Sequence, residues 1–424
     1  MTSSQPDSPT DHTPRTRLFT SFGYREYRLF WLGGAFSNIG MWALIYGRLW
    51  LMHDLTDSPF MLGVVTASSL GPVLLLSLWG GVVADRVNRL RLVTVTRGMF
   101  AGLALLTSAL IATDVIQPWH LIAISLCTGV LLSFDIPSRQ AMLPNLVAEH
   151  HLVNAIALYS FLSAGSAIIG PGFFAPLVNF WGLEALFLLI GMAYVLTVAM
   201  LLMMKPLPQK PTPAKGWLWR GLKGGMAYSN KNRIILYLLG LGIVGGLFGM
   251  SFETLLPVFA DQVLSGDVSR YGWLLLSIGV GGLTGAATLA RVGTLNNAAR
   301  IHLIAGAGLG LSLMIFSQIT WFPASVGALA IVGGFSVMFL TVNNTMVQGV
   351  VDEEFRGRVM SLHQLTWGVT AIGGLLMGGL AQVSDAPMAL LVAGFVTVLG
   401  TAAFAISIVR KWCPQRGSNP RSPP

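Results

Sequence analysis

Charge is the scarcest feature of this 424-residue chain, since only 10% of its residues are Asp, Glu, Lys or Arg while 54% are hydrophobic. Soluble domains carry roughly a quarter charged residues. A chain with so few charges has too little polar surface to stay dispersed in water. The composition therefore excludes an ordinary soluble domain and predicts a protein that resides in a lipid bilayer.

Cysteines and common enzymatic motifs are also scarce. Cys127, in an apolar run, and Cys413, in the polar C-terminal tail, provide no disulfide framework. The chain has no G-x-x-x-x-G-K-[ST] phosphate loop, no H-E-x-x-H metal motif and no G-x-S-x-G nucleophile motif. His150 and His151 are adjacent, which is not a metal-ligand spacing. These absences argue against ATP hydrolysis and against an intramembrane hydrolase, and we expect no enzyme activity, cofactor or metal.

Long apolar runs are what the sequence does contain. A transmembrane helix needs roughly 20 mostly apolar residues. The runs predict twelve such spans, numbered 1 to 12 in chain order: 30–52, 60–83, 92–113, 118–137, 152–180, 184–204, 234–260, 271–290, 301–318, 322–346, 357–382 and 386–409.

The spans predict an all-α integral membrane protein of two pseudo-symmetric six-helix bundles. We expect the first bundle at residues 29–204 and the second at 234–410, joined by a cytoplasmic central loop at 205–233. Disordered cytoplasmic tails are expected at residues 1–28 and 411–424. Within the central loop, residues 217–228 are expected to form a short amphipathic helix at the membrane interface.

The distribution of basic residues supports this count. If both termini are cytoplasmic and the spans alternate, all but two of the 26 Lys and Arg residues fall on the cytoplasmic side, as the positive-inside rule requires. The two exceptions are Arg48 and Arg270. The net charge of +9 therefore reflects membrane topology, and we expect no nucleic-acid partner.

The two halves are weakly repeated. Val147–Leu158 (VAEHHLVNAIAL) matches Val351–Leu362 (VDEEFRGRVMSL) at an offset of 204 residues, and each segment follows the fourth span of its half. A duplicated six-span unit is typical of a secondary transporter in which two bundles rock about a central site.

The loop between spans 2 and 3 carries the most specific motif. Gly81, Asp85, Arg86, Arg89 and Arg91 form the pattern G-x-x-x-D-R-x-x-R-x-R, which resembles the loop signature of the major facilitator superfamily. Further segments in both halves, such as SNIGMW, FDIPSRQAMLPNLV and FRGRVMSL, resemble its transmembrane secretion effector branch, which includes enterobactin exporters and macrolide efflux proteins.

This resemblance implies a cytoplasmic latch that holds the outward-facing state. Asp85 would lie near the start of span 11, and Arg89 near Asp135 at the inner end of span 4. A carboxylate is costly in hydrocarbon, so Asp85 needs partners. Arg139 follows Asp135 by four residues and shares its helix face, which predicts a local ion pair. The alternative is that the arginines of this loop only keep it on the cytoplasmic side of the membrane.

Ionisable residues inside the spans are functional candidates by default. Arg48 in span 1 and Glu253 in span 7 are 205 residues apart, close to the repeat offset. We expect them to pair at the outer gate when the outside is closed, with Glu253 taking a proton when the cavity opens outward. Local alternatives are snorkelling of Arg48 and hydrogen bonding of Glu253 to its neighbours. His363 in span 11 is a further candidate for proton coupling.

Small residues and prolines mark a helix contact in span 5. Gly165, Gly170, Pro171 and Gly172 resemble the glycine–proline motif of superfamily exporters. Small residues let helices approach closely and proline bends them. We therefore expect this motif to shape a contact that hinders leak.

The family fold implies a cavity lined mainly by spans 1, 4, 7 and 10. Apolar, aromatic and polar candidates for its wall come from spans 1 and 10: Asn38, Met41, Trp42, Tyr46, Met338, Phe339, Asn343, Asn344 and Gln348. A wall of this kind suits a bulky amphiphile better than a sugar or an inorganic ion.

Together these features predict a secondary active exporter of the bacterial cytoplasmic membrane. It would move hydrophobic or amphipathic small molecules out of the cell by alternating access, with H⁺, or alternatively Na⁺, as the coupling ion. A dedicated siderophore exporter is the main alternative, and a non-transporting membrane scaffold is the lower one. The expected partners are the substrate, the coupling ion and the bilayer, and the chain is expected to be a monomer.

Overall fold

The fold is known from a computed structural model, which describes residues 19–206, 218–293 and 297–412. In these ranges the chain is helical and contains no strand. Eleven of the described helices are long and apolar enough to cross a membrane, and two shorter consecutive helices occupy the position of span 11. The predicted all-α membrane fold of two six-helix bundles is confirmed.

The observed helices follow the predicted spans closely. In chain order they are Arg25–Thr56 (span 1), Pro59–Arg86 (span 2), Arg89–Ala112 (span 3), Pro118–Met142 (span 4), Leu152–Leu202 (spans 5 and 6), Arg233–Val244 (start of span 7), Val268–Val292 (span 8), Ala298–Ser317 (span 9), Phe322–Val350 (span 10), Glu353–Gly368 with Thr370–Val383 (span 11), and Ala386–Trp412 (span 12).

Spans 5 and 6 are separated by a single residue with a non-helical backbone. Gly182 has φ 81° and ψ 173°. Glycine tolerates this positive φ because it has no Cβ, whereas other residues are strained there. This break lies between residue 180, where predicted span 5 ends, and residue 184, where predicted span 6 begins.

Span 7 is the most irregular of the described spans. After Val244 it continues as a π-helical turn over Gly245–Gly249, a 3₁₀ turn over Ser251–Leu255 and a second π-helical turn over Phe259–Val263. Irregular backbone at membrane depth is tolerated where it is buried in protein or lines a cavity. Span 7 is therefore a place to look for a functional site.

Close glycine contacts join the two bundles. Spans 2 and 11 pack tightly, and so do spans 5 and 8. A Cβ atom placed on Gly63 in span 2 would lie 2.5 Å from the carbonyl oxygen of Gly374 in span 11. One placed on Gly279 in span 8 would lie 2.8 Å from Ile168 in span 5. Both contacts require a residue without a side chain.

The prediction of a disordered tail over 1–28 is wrong at its C-terminal end. Residues 20–23 form a 3₁₀ turn and the helix of span 1 begins at Arg25. Ser21 is buried and donates a hydrogen bond of 2.7 Å to Asn154. The hydroxyl of Tyr27 donates one of 2.9 Å to the carbonyl of Ala155. These bonds hold the segment against the start of span 5. Residues 1–18 lie outside the described ranges.

The central loop contains the expected short helix. Residues 207–217 lie outside the described ranges, and Leu218–Lys231 is helical. The hydroxyl of Tyr228 donates a hydrogen bond of 2.8 Å to Asp352, at the start of span 11. This bond ties the helix to the second bundle. The second predicted tail lies outside the described ranges from residue 413 onward.

Candidate functional site

A cavity of about 410 Å³ lies at the junction of the two bundles. Residues from spans 1 to 6 form most of its wall, and most of them are apolar. Met250 and Glu253 from span 7 and Thr370 from span 11 complete the wall from the second bundle. Its size falls within the range of small-molecule sites.

Span 1 supplies predicted cavity residues. Asn38, Met41 and Trp42 line the cavity. Tyr46, one turn further along, lies behind Trp42, and the two rings stack with centroids 5.8 Å apart. The Tyr46 side chain is buried and turned toward span 7.

The predicted cavity residues of span 10 do not line this cavity. Phe339 is fully buried and stacks on His302 with ring centroids 4.7 Å apart. Asn343 is buried, while Asn344 and Gln348 are exposed and hydrogen-bonded to each other at 3.0 Å. Met338 packs against the hydrophobic core. Span 10 therefore turns these side chains into its own bundle or away from the protein.

Glu253 connects the two bundles. It lies in the 3₁₀ turn of span 7 and accepts a hydrogen bond of 3.3 Å from the hydroxyl of Tyr46 in span 1. Glu253 also lines the cavity. A carboxyl group at such a position can exchange a proton with water that enters the cavity, which is how intramembrane acids act in proton relays.

Arg48 lines the same cavity but does not pair with Glu253. Its side chain is 2% exposed and donates a hydrogen bond of 3.2 Å to Ser125 in span 4. Its Nε–H has no hydrogen-bond partner among the described residues. The predicted ion pair is therefore absent from this conformation, because Ser125 holds Arg48 on the side of the first bundle while Tyr46 holds Glu253.

The two bundles are bonded to each other at the end that the positive-inside rule assigns to the outside, here called the outer end. His53 and Asp261 are hydrogen-bonded at 3.1 Å, Ser58 and Gln382 at 2.7 Å, and the hydroxyls of Thr66 and Thr254 at 3.2 Å. Asn179 also contacts Ser269. The conformation is therefore closed at the outer end.

His53 and Asp261 were missed by the sequence analysis, although a signal was present. They are 208 residues apart, near the repeat offset of 204 that led to Arg48 and Glu253. His53 is buried, and Asp261 is half-exposed. They occupy the place at the outer gate that was predicted for the Arg48–Glu253 pair.

Asp135 is the centre of a buried ion-pair cluster in the first bundle. Its carboxylate lies 2.8 Å from Arg97 in span 3 and 2.7 Å from Arg139, four residues later in span 4. Thr96 donates a further hydrogen bond of 3.1 Å. Arg139 also donates to the hydroxyl of Tyr159 in span 5. The cluster joins spans 3, 4 and 5, and Arg97 was counted only as a topology residue in the sequence analysis.

The expected contact between Arg89 and Asp135 is not formed. Arg89 donates to the carbonyl oxygens of Ala84 at 3.2 Å and Ala141 at 3.0 Å. It therefore reaches the inner end of span 4 but binds backbone there, because Arg97 and Arg139 occupy the Asp135 carboxylate.

The remaining predicted residues of the loop between spans 2 and 3 are mostly at the surface. Arg86 and Arg91 are exposed, and a Cβ on Gly81 would meet open space. The side chain of Asp85 lies outside the described part of the chain. Asn88, in the same loop, accepts a hydrogen bond of 3.0 Å from the backbone N–H of Arg91 and so caps the helix of span 3.

The glycine–proline motif of span 5 contacts both bundles. A Cβ on Gly170 would lie 2.8 Å from Cβ of Trp42, so Gly170 lets span 5 approach span 1 beside the cavity. A Cβ on Gly172 would lie 3.4 Å from Leu276 in span 8, whereas one on Gly165 would meet open space. Pro171 is buried between the two glycines that make contacts.

His363 does not line the cavity. It is half-buried in span 11, its carbonyl oxygen accepts a hydrogen bond of 2.6 Å from Thr366, and its Nε2 has no partner within the described part of the chain. The geometry therefore keeps it separate from Glu253 and Arg48.

Comparisons with known proteins agree with this architecture. The chain is 25% identical to the staphyloferrin A transporter of Staphylococcus aureus, over 86% of this chain and 92% of the relative. It is 26% identical to the enterobactin exporter EntS of Escherichia coli, over 81% and 84%. The fold matches a crystal structure of the nucleoside transporter NupG with a TM-score of 0.71 and 14% identity, over 90% of this chain and 99% of the other.

A family model covers nearly the whole chain. Residues 16–422 match the model of the transmembrane secretion effectors, within the major facilitator superfamily. This range includes both bundles, the cavity and the loop between spans 2 and 3. The chain therefore belongs to the transmembrane secretion effector family.

Proposed function

We propose that this protein is a secondary active exporter of hydrophobic or amphipathic small molecules, driven by proton antiport. The observation that carries the proposal is the cavity at the bundle junction, which is largely apolar and contains an acid held by the opposite bundle. A substrate-free scaffold needs neither feature, so the cavity and Glu253 favour transport over that alternative.

Glu253 is the proposed coupling residue because its hydrogen bond spans the bundle interface. When the bundles separate at the outer end, Tyr46 moves away from Glu253 and the carboxyl group becomes accessible to outside water. It takes up a proton there and releases it after the outer end closes again and Tyr46 returns. Two bundles that rock about a central site provide this alternation.

The proposed orientation places both termini in the cytoplasm of a bacterial cell, in its inner membrane. The arginines of the loop between spans 2 and 3 then lie on the cytoplasmic side. We propose that Asp85, Arg86 and Arg89 form a latch at this side when the outer end is open. In the outside-closed state Arg89 makes hydrogen bonds to the carbonyl oxygens of Ala84 and Ala141, among its contacts.

A dedicated siderophore exporter is the second candidate. It is favoured by the names of two relatives, a staphyloferrin A transporter and an enterobactin exporter. Both candidates use the same cavity and the same coupling residue, and they differ in the range of substrates.

Everted membrane vesicles with an imposed pH gradient test the proposal. Accumulation of a cationic dye, a macrolide and a catecholate siderophore is measured with the wild type and with Glu253→Gln. Gradient-dependent uptake of the dye or the macrolide that is lost in the variant supports multidrug antiport. Uptake of the siderophore alone supports the dedicated exporter, and gradient-independent behaviour of all three contradicts proton-driven export.

A further inference from the structure

The charged groups around the cavity do not balance. Within the described part of the chain, Arg48 and Arg139 line the cavity, and Arg97 lies directly behind Arg139 on Asp135. The negative groups here are Asp135 and Glu253. The site therefore carries an excess of one positive charge when Glu253 is ionised and of two when it is protonated.

Arg48 is the residue at which this excess is located. Asp135 already has Arg97 and Arg139 as ion-pair partners, while Arg48 forms no ion pair with any residue that the structure describes. A guanidinium group has five N–H donors, and Arg48 uses them for a single hydrogen bond, to Ser125. A buried charge without a counter-charge is strongly unfavourable. An incoming anion would relieve that cost, and a cation would increase it.

We propose that the cavity binds an organic anion, with Arg48 as the residue that binds its acidic group. The proposal rests on the exporter function and specifies its substrate class: an amphiphile with a carboxylate or a comparably acidic oxygen group. The apolar part of the molecule lies against Met41, Trp42 and Leu49, which share the cavity wall with Arg48.

The position of Glu253 is consistent with this assignment. Its carboxyl group is bonded to Tyr46 and not to Arg48, so the guanidinium group remains available to a ligand. A carboxylate and a planar guanidinium form charge-assisted hydrogen bonds in pairs, which a neutral amide of the same shape cannot match. Discrimination between an acid and its amide therefore reports the contribution of a guanidinium group, and its loss in an Arg48 variant assigns that contribution to Arg48.

The experiment measures binding of 2-naphthylacetate and of 2-naphthylacetamide to the purified full-length protein by isothermal titration calorimetry. The two probes share their aromatic part and differ in charge. Because a hydrogen bond to a charged group contributes about 1.5–3 kcal/mol, the wild type should bind the acid roughly 10- to 150-fold more tightly.

Three variants make the result specific to Arg48. Arg48→Gln should bring the affinity ratio to about 1 while affinity for the amide is retained, and Arg48→Lys should keep part of the preference because it keeps the charge. Arg28→Gln is the matched control, since Arg28 is an exposed arginine at the start of the same helix. Size-exclusion profiles and melting temperatures establish that each variant is folded.

The proposal is overturned if the wild type does not distinguish the probes, including the case in which neither binds, or if Arg48→Gln keeps the preference. The vesicle assay remains independent of this result. An acid preference that depends on Arg48, without gradient-driven movement of any substrate, supports the anion site and contradicts the exporter function.

Discussion

The hydroxyl of Tyr46 donates a hydrogen bond of 3.3 Å to Glu253, although the two residues belong to opposite bundles. Tyr46 moves with span 1, and Glu253 moves with the irregular middle of span 7. Any rotation that separates these spans removes the hydrogen bond. The environment of the carboxyl group is thus linked to the conformation of the whole protein.

We expect Glu253→Gln to abolish accumulation driven by a pH gradient while exchange of labelled for unlabelled substrate continues. Gln has the shape of Glu and still accepts from Tyr46, but it cannot carry a proton between the two sides. The measurement is uptake into proteoliposomes with and without the gradient. Accumulation that still follows the gradient in this variant would rule out Glu253 as the coupling residue.

We expect Gly63→Ala to open the outer end. The added Cβ would lie 2.5 Å from the carbonyl oxygen of Gly374, so spans 2 and 11 must move apart. Gly71→Ala is the control on the same helix, because a Cβ there meets open space. Access from the outside is measured by reaction of a cysteine at Ser69, which lines the cavity, with a membrane-impermeant reagent, after replacement of Cys127 and Cys413. Equal labelling of the two glycine variants would contradict the assignment of this contact to the closed outer end.

We expect Asp135→Asn to lower the free energy of unfolding by about 3–5 kcal/mol, because it leaves the buried Arg97 and the partly buried Arg139 without their counter-charge. Arg139→Gln should lower the free energy of unfolding by a smaller amount, since Arg97 still pairs with Asp135. Asp54→Asn serves as the control because Asp54 is exposed at the end of span 1. Unfolding is followed in detergent by circular dichroism. If Asp135→Asn lowers the free energy of unfolding no more than the control does, the cluster does not stabilise the fold.

We expect His53→Ala and Asp261→Asn to increase access to the cavity from outside, each by weakening the same contact. Residues in one hydrogen bond are energetically coupled, so the double variant should add little to either single change. The accessibility assay with a cysteine at Ser69 measures all three variants. Additive effects would indicate that the two side chains act separately and not through their hydrogen bond of 3.1 Å.

Much of the fold could be predicted because span length and the distribution of basic residues depend on the bilayer and not on tertiary contacts. The pairing of Asp135 with Arg139, one helical turn apart in the same span, could also be predicted. The charged partners that lie in different spans could not. Arg97 and Asp135 are in different spans, and no helical period indicates that they meet. The same limit explains the error for span 10: Phe339 and Asn343 have the composition of a cavity wall, but tertiary packing buries them in the second bundle.

The salt bridge between Arg97 and Asp135 also constrains how the protein is made. Span 3 carries the arginine and span 4 the carboxylate, and each charge alone is costly in hydrocarbon. Only five residues, 113–117, separate the two helices. The two segments should therefore leave the translocon together, as a helical hairpin in which Arg97 and Asp135 already neutralise each other's charge. During synthesis, spans 3 and 4 would then enter the bilayer as a pair of helices that have already assembled.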